Sequence, residues 1–92
     1  MLDMDTVLEQ NPHFFKTEVG DELLLYRPNT QQAVRLDALA AVIYQMCDGT
    51  RSGNAIVAEL GAQYPDNLEE VAQDIRTALN TMFGPGVLVT QT

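Results

Sequence analysis

The hydrophobic repeat of this 92-residue chain changes once, at Asp37, and that change constrains the fold more than any single motif. Before Asp37, apolar residues come in short runs separated by turn formers. After it they recur every three or four residues, the spacing of one face of a helix. Strands followed by helices within so short a chain imply an α+β domain with one hydrophobic core, and a chain of this size has little surplus for a deep catalytic cavity.

Residues 1–12 carry no clear period and end in Asn11-Pro12, so they are expected to be a flexible lead-in with at most a helical turn, the folded domain spanning 13–92. Residues 13–19 read as a strand. Gly20-Asp21 then precedes the apolar run Leu23, Leu24, Leu25 and Tyr26. Glycine at the first position of a two-residue turn suits a type II′ hairpin, because without Cβ it accepts positive φ. Pro28-Asn29 makes a second turn, proline presetting φ and asparagine tolerating the next position. Ala33, Val34, Arg35 and Leu36 complete a three-stranded antiparallel meander.

Asp37 can cap the first helix by accepting from the free N–H groups of its first turn. Leu39, Val42, Ile43, Met46 and Cys47 then fall on one face, and Asp48-Gly49 is expected to stop the helix. Thr50 or Ser52 starts a second helix with Ile56, Val57 and Leu60 inward, ending by Pro65. Asp66 or Asn67 caps a third, whose first turn holds Glu69 and Glu70 where negative charge meets the positive helix end. Leu68, Val71, Ala72, Ile75, Ala78, Leu79 and Met82 cover about 120° of its circumference at 100° per residue. Gly84-Pro85-Gly86 ends it, and Val87, Leu88 and Val89 return as a short strand. The expected outline is a three-stranded sheet followed by three helices, like a winged helix-turn-helix.

The charge narrows the function. Five Lys and Arg stand against thirteen Asp and Glu, a formal net charge of -8. The cations Lys16, Arg27, Arg35, Arg51 and Arg76 are scattered, whereas phosphate backbones are bound by clustered ones. The field of the chain would repel nucleic acid and anionic membranes, and no apolar run is long enough to cross a bilayer. The N-terminus lacks the basic start and apolar centre of a signal peptide, so a cytoplasmic protein is expected. Cys47 is the only cysteine and sits among Val42, Ile43 and Met46, as a buried apolar thiol does. His13 has no acidic or cysteine partner at ligand spacing. No phosphate loop and no nucleophile triad is present, so neither a catalytic residue, a metal nor a cofactor is expected.

Three functions are compatible with this outline. A transcriptional regulator of the winged-helix type would need a basic recognition helix, but the candidate helix carries Arg76 alone among Glu69, Glu70 and Asp74. An acidic carrier protein would attach its arm to a serine after an aspartate, and Ser52 follows Arg51. A peptide-binding domain needs only an open strand edge beside an apolar helix.

The run Arg35-Leu36-Asp37-Ala38-Leu39-Ala40-Ala41-Val42-Ile43-Tyr44-Gln45-Met46-Cys47-Asp48-Gly49-Thr50-Arg51-Ser52 resembles the pattern of the PqqD family. So do Leu23-Leu24-Leu25-Tyr26-Arg27-Pro28 upstream, and Asp74-Ile75 with Leu79 downstream. Asp37 stands where that family has asparagine, and Leu39 where it has a small hydroxyl residue. The resemblance implies a non-catalytic recognition element. Such a domain binds the leader of a ribosomally made precursor peptide and presents it to a modifying enzyme, in PqqD and several relatives a radical S-adenosylmethionine maturase. It also implies that the peptide adds beside the third strand and lies against the third helix. Carried onto this chain, the site is Ala33, Val34, Arg35 and Leu36 facing Val71, Ile75, Ala78, Leu79 and Met82, with Asp74 and Arg76 flanking. An exposed edge of this kind can also pair with its own copy, so a homodimer is a further expectation.

Overall fold

The computed structural model describes residues 3–90, and the extreme ends of the expected lead-in and domain, residues 1–2 and 91–92, lie outside the described residues. The elements run β1 (Val7–Gln10), β2 (Phe15–Val19), β3 (Glu22–Arg27), β4 (Gln32–Leu36), α1 (Ala38–Met46), β5 (Asp48–Ser52), α2 (Gly53–Gly61), α3 (Leu68–Phe83) and β6 (Leu88–Thr90). The expected meander forms as an antiparallel sheet in the order β2-β3-β4. Val19 pairs with Glu22, leaving Gly20-Asp21 as a two-residue turn in which Gly20 takes a φ of 63°. That is the positive first dihedral a type II′ hairpin needs. The next link is longer than a tight turn at Pro28-Asn29. A 3-10 turn over Pro28–Thr30 ends with Gln31 in the left-handed region, at φ 54°.

The expectation of one sheet is corrected to two. A second three-stranded antiparallel sheet has the order β5-β1-β6. Its middle strand lies in the stretch expected to be a lead-in without strands, and Leu8 at its centre is fully buried. Its edge strand β5 lies where only a helix stop and restart were expected. Leu8 pairs with Arg51 and Glu9 with Asp48, so Gly49 and Thr50 bulge out, Gly49 at a φ of 87°. Arg51 holds this strand in place: its guanidinium meets Glu59 of α2 at 2.6 Å and Asp48 at 3.1 Å, and donates to the Met46 carbonyl at the end of α1. Asn11, also buried, closes the sheet's other side. Its backbone N–H donates to the Val87 carbonyl, its amide to the Gly86 carbonyl at 2.8 Å, and its side-chain oxygen accepts from the His13 N–H.

The helices keep their expected places, with two corrections of face and one of capping. Asp37 accepts from the Ala40 N–H at 2.9 Å and Ser52 from that of Ala55, so both expected N-caps are present. In α1, however, the buried residues are Ala41, Ile43 and Tyr44, whereas Val42 is 45% exposed. The face is rotated toward Tyr44 because α1 packs against β3, β4 and α3 together. In α3, Ala72, Ile75, Leu79 and Met82 are buried, but Leu68 is 50% exposed. Asn67 occupies the cap position without a side-chain cap bond, since the 3-10 turn Pro65–Asn67 leads directly into the helix.

Leu8, Leu23, Leu25, Ile43, Ile56, Ile75 and Leu79 form the centre of one core shared by both sheets and all three helices. Leu8→Ala is expected to cost about 2–5 kcal/mol, the range for a large-to-small change in a core. A lead-in lying loosely on the domain would lose under about 0.5 kcal/mol. Urea unfolding of the two proteins distinguishes the outcomes.

Candidate functional site

Among the described residues β4 pairs only with β3, so its outer edge has hydrogen-bonding groups without a neighbouring strand. β2 is the opposite edge, but all five of its residues are exposed. β4 alternates, with Val34 half-buried and Leu36 buried on the core side and Ala33 and Arg35 exposed on the other. Beside it opens a groove of about 420 Å³, lined by Val34, Leu36, Leu39, Ala40, Ala78 and Met82. Polar groups on its walls are Arg35, Asp37, Asp74, Thr77 and Thr81. Its size lies in the range of sites that take small ligands or peptide side chains.

The direction of the groove follows from one hydrogen bond. Gln32, which opens β4, donates its side-chain amide to the Pro85 carbonyl just past α3 at 2.9 Å. The start of β4 is thereby tied to the end of α3, and α3 runs back along the groove toward Asp74. Asp37, at the far end of β4, lines the same groove. The charge of Arg35 is already engaged, its Nε donating to Glu22 at 2.6 Å. Thr81 donates its hydroxyl to the Thr77 carbonyl within the helix.

Of the residues singled out in the sequence, Val34, Arg35, Leu36, Asp74, Ala78 and Met82 are brought together in the groove. Ile75 and Leu79 are not: both are fully buried and belong to the core, as their helical spacing with Ala72 dictates. Val71, half-buried, packs against the same core outside the groove. Ala33 lies on β4 but points to the opposite face from Val34. Sequence reasoning missed Asp37, Leu39, Ala40, Thr77 and Thr81 as walls of the groove. Thr77 and Thr81 stand three and seven residues after Asp74, a stripe legible at helical spacing.

Elsewhere the chemistry is inert. Burial pushes the Cys47 thiol up to about 12, helped by the Asp48 charge and opposed by that of Arg51. The thiol lies 3.2 Å from the Ile43 carbonyl, inside the core. No group of acidic, histidine or cysteine side chains among the described residues could hold a metal ion. No helix among them is long and apolar enough to cross a membrane.

A family profile described as Coenzyme PQQ synthesis protein D (PqqD) matches residues 22–88, a span that runs from β3 through the groove to β6. The chain belongs to the PqqD family. Among solved structures it is similar to TbiB1 in complex with the TbiA(beta) leader peptide, at a TM-score of 0.73 and 20% identity. That likeness covers 91% of this chain and 98% of the other, and establishes a shared fold. No curated protein matches the chain.

Cys47 gives a direct check of the packing around the groove's supporting helix. The thiol should resist alkylation by iodoacetamide at pH 8.5 in the folded protein and react once the chain is unfolded. Its folded pKa lies above the ordinary 9.0, so its contribution to stability is complete below pH 9 and is lost as pH rises toward about 12. Thermal melts across that interval should show a falling midpoint that Cys47→Ala lessens.

Proposed function

We propose that this chain is a non-catalytic recognition domain that binds the leader segment of a ribosomally made precursor peptide by strand addition at β4. The observation that carries this reading is the open β4 edge lying directly beside the groove under α3. An extended peptide would satisfy the edge's free N–H and C=O groups while alternate side chains enter the groove. Membership of the PqqD family supports the reading, as does the shared fold with TbiB1, a protein solved with a leader peptide.

In this reading the domain delivers the bound leader to a modifying enzyme in the cytoplasm, a radical S-adenosylmethionine maturase being the partner that the family resemblance implies. The β2–β3 hairpin corresponds to the wing, and α2 with α3 to the helical pair, of a winged helix-turn-helix. The recognition task needs no metal or cofactor, and the buried Cys47 thiol, held protonated, offers no nucleophile. A second copy pairing through β4 would occupy the same edge as the peptide, so a homodimer and the peptide complex are mutually exclusive. No observation favours the regulator: α3 carries Glu69, Glu70 and Asp74 against Arg76, and the chain's net charge is -8.

Titration of ¹⁵N-labelled protein with its cognate leader peptide should shift the amides of residues 33–36 and 74–82 together. Ala78→Phe fills the groove from a half-buried position outside the core centre. It is expected to weaken binding by at least about tenfold, the factor that 1.4 kcal/mol carries, with the circular dichroism spectrum unchanged. Shifts confined to β2 or to the β5-β1-β6 sheet would remove the reading.

A further inference from the structure

The groove is polarised, and its two ends ask for different side chains. The Gln32–Pro85 bond fixes which end is which. Toward Pro85 the walls are Val34, Ala78, Met82 and Thr81, whose hydroxyl is spent on the Thr77 carbonyl; toward the end of β4 the carboxylates of Asp37 and Asp74 stand beside Leu36, Leu39 and Ala40. Asp37 already accepts from the Ala40 N–H as the cap of α1. Arg35, the cation on the lining, is paired with Glu22 and does not neutralise Asp74. Asp74 is exposed on α3, and its carboxylate takes part in none of the ion pairs among the described residues, which join Arg35 to Glu22 and Arg51 to Asp48 and Glu59. The deep part of the groove is therefore apolar, and one mouth holds a negative charge without a counterion.

The spacing of these walls matches an extended chain. From Asp74 to Ala78 the helix rises four residues, about 6 Å at 1.5 Å each. Two residues of a strand, the interval between side chains on one face, span about 6.6 Å. A peptide lying along β4 would thus set one side chain over Ala78, where the small residue leaves room, and place the side chain two residues away beside Asp74. We propose that this groove selects a leader segment with a branched aliphatic residue and, two positions from it, a lysine or arginine that pairs with Asp74. The inference rests on the peptide-binding reading and specifies its ligand. With antiparallel addition to β4, the basic residue comes first in the peptide, because the acidic mouth adjoins the end of β4 where an antiparallel guest begins.

A random twelve-residue peptide library displayed on phage and selected against the folded protein tests this without knowledge of the natural leader. The expected result is enrichment of a basic residue two positions from Leu, Ile or Val. Binding of an enriched peptide should weaken roughly three- to tenfold on Asp74→Lys and when its basic residue becomes Glu, in the range of a partly exposed charged pair. The two changes combined should recover most of the loss, a readout that a merely structural effect of Asp74→Lys would not give. Aliphatic peptides without a basic preference, bound equally by the Asp74→Lys protein, would overturn the charge selection and leave peptide binding standing. A library from which nothing is enriched would overturn both.

Discussion

Among the described residues two edge strands, β5 and β6, pair with β1 alone, and the fold depends on that shared pairing. β1 accepts β5 along one side and β6 along the other. Leu8, pointing inward from this strand, is buried against the same core that supports β3, α1 and α3. Because unpaired backbone groups in a small interior are costly, removing β1 would leave two strands exposed and the ends of the helices unsupported. Asn11 extends the effect to the turn after α3, where it bonds both Gly86 and Val87. That turn also receives the Gln32 amide through Pro85. The N-terminal strand and the candidate groove are thus joined through one short turn, even though they belong to different sheets.

Much of this was legible in the sequence because local chemistry decided it. Gly20 favours a hairpin turn with positive φ, Asp37 reads as a cap, and Ala72, Ile75, Leu79 and Met82 share one helical face; between Thr50 and Ser52 as the start of the second helix the structure selects Ser52. The unread parts were settled by tertiary pairing. Val7–Gln10 has no alternation of apolar and polar residues, and Asp48–Ser52 is composed of residues that favour turns. They pair with each other, β1 being completed on its other side by β6, and Arg51 fastens the bulge in β5. Tyr44 was passed over for Val42 in α1, since a periodicity count weighs aliphatic residues above an amphipathic ring. The ring is nonetheless buried.

The candidate site divides along the same line. Positions that line the groove because they follow in order along one strand, Val34 to Leu36, were readable from sequence. Positions on α3 are readable only to within a helical face: Leu68 of the expected stripe is half-exposed, Ile75 and Leu79 at its centre belong to the core, Ala78 and Met82 also line the groove, and so does the flanking Asp74. Hydrophobic spacing tells which side of a helix is sheltered and is silent on whether protein or guest shelters it. That α1 begins directly after β4 is legible at Asp37, but Leu39 and Ala40 line the groove only because α3 packs back alongside, which no local pattern reveals.

The division of α3 into two faces has an evolutionary consequence. Backbone groups on a bare strand are common to every polypeptide, so in the proposed mode of binding discrimination between guests would come from the helix. Three of its groove-lining positions, Asp74, Thr77 and Thr81, are exposed and Ala78 is half-buried, whereas its core contacts are made by Ala72, Ile75 and Leu79. Under the proposed function, substitutions on one side of a single helix could therefore change what is recognised without disturbing the side that keeps the chain folded. Met82, buried in the core, and Ala78, half-buried against it, both also line the groove, and they are the positions where a change in the groove and a change of stability would be inherited together.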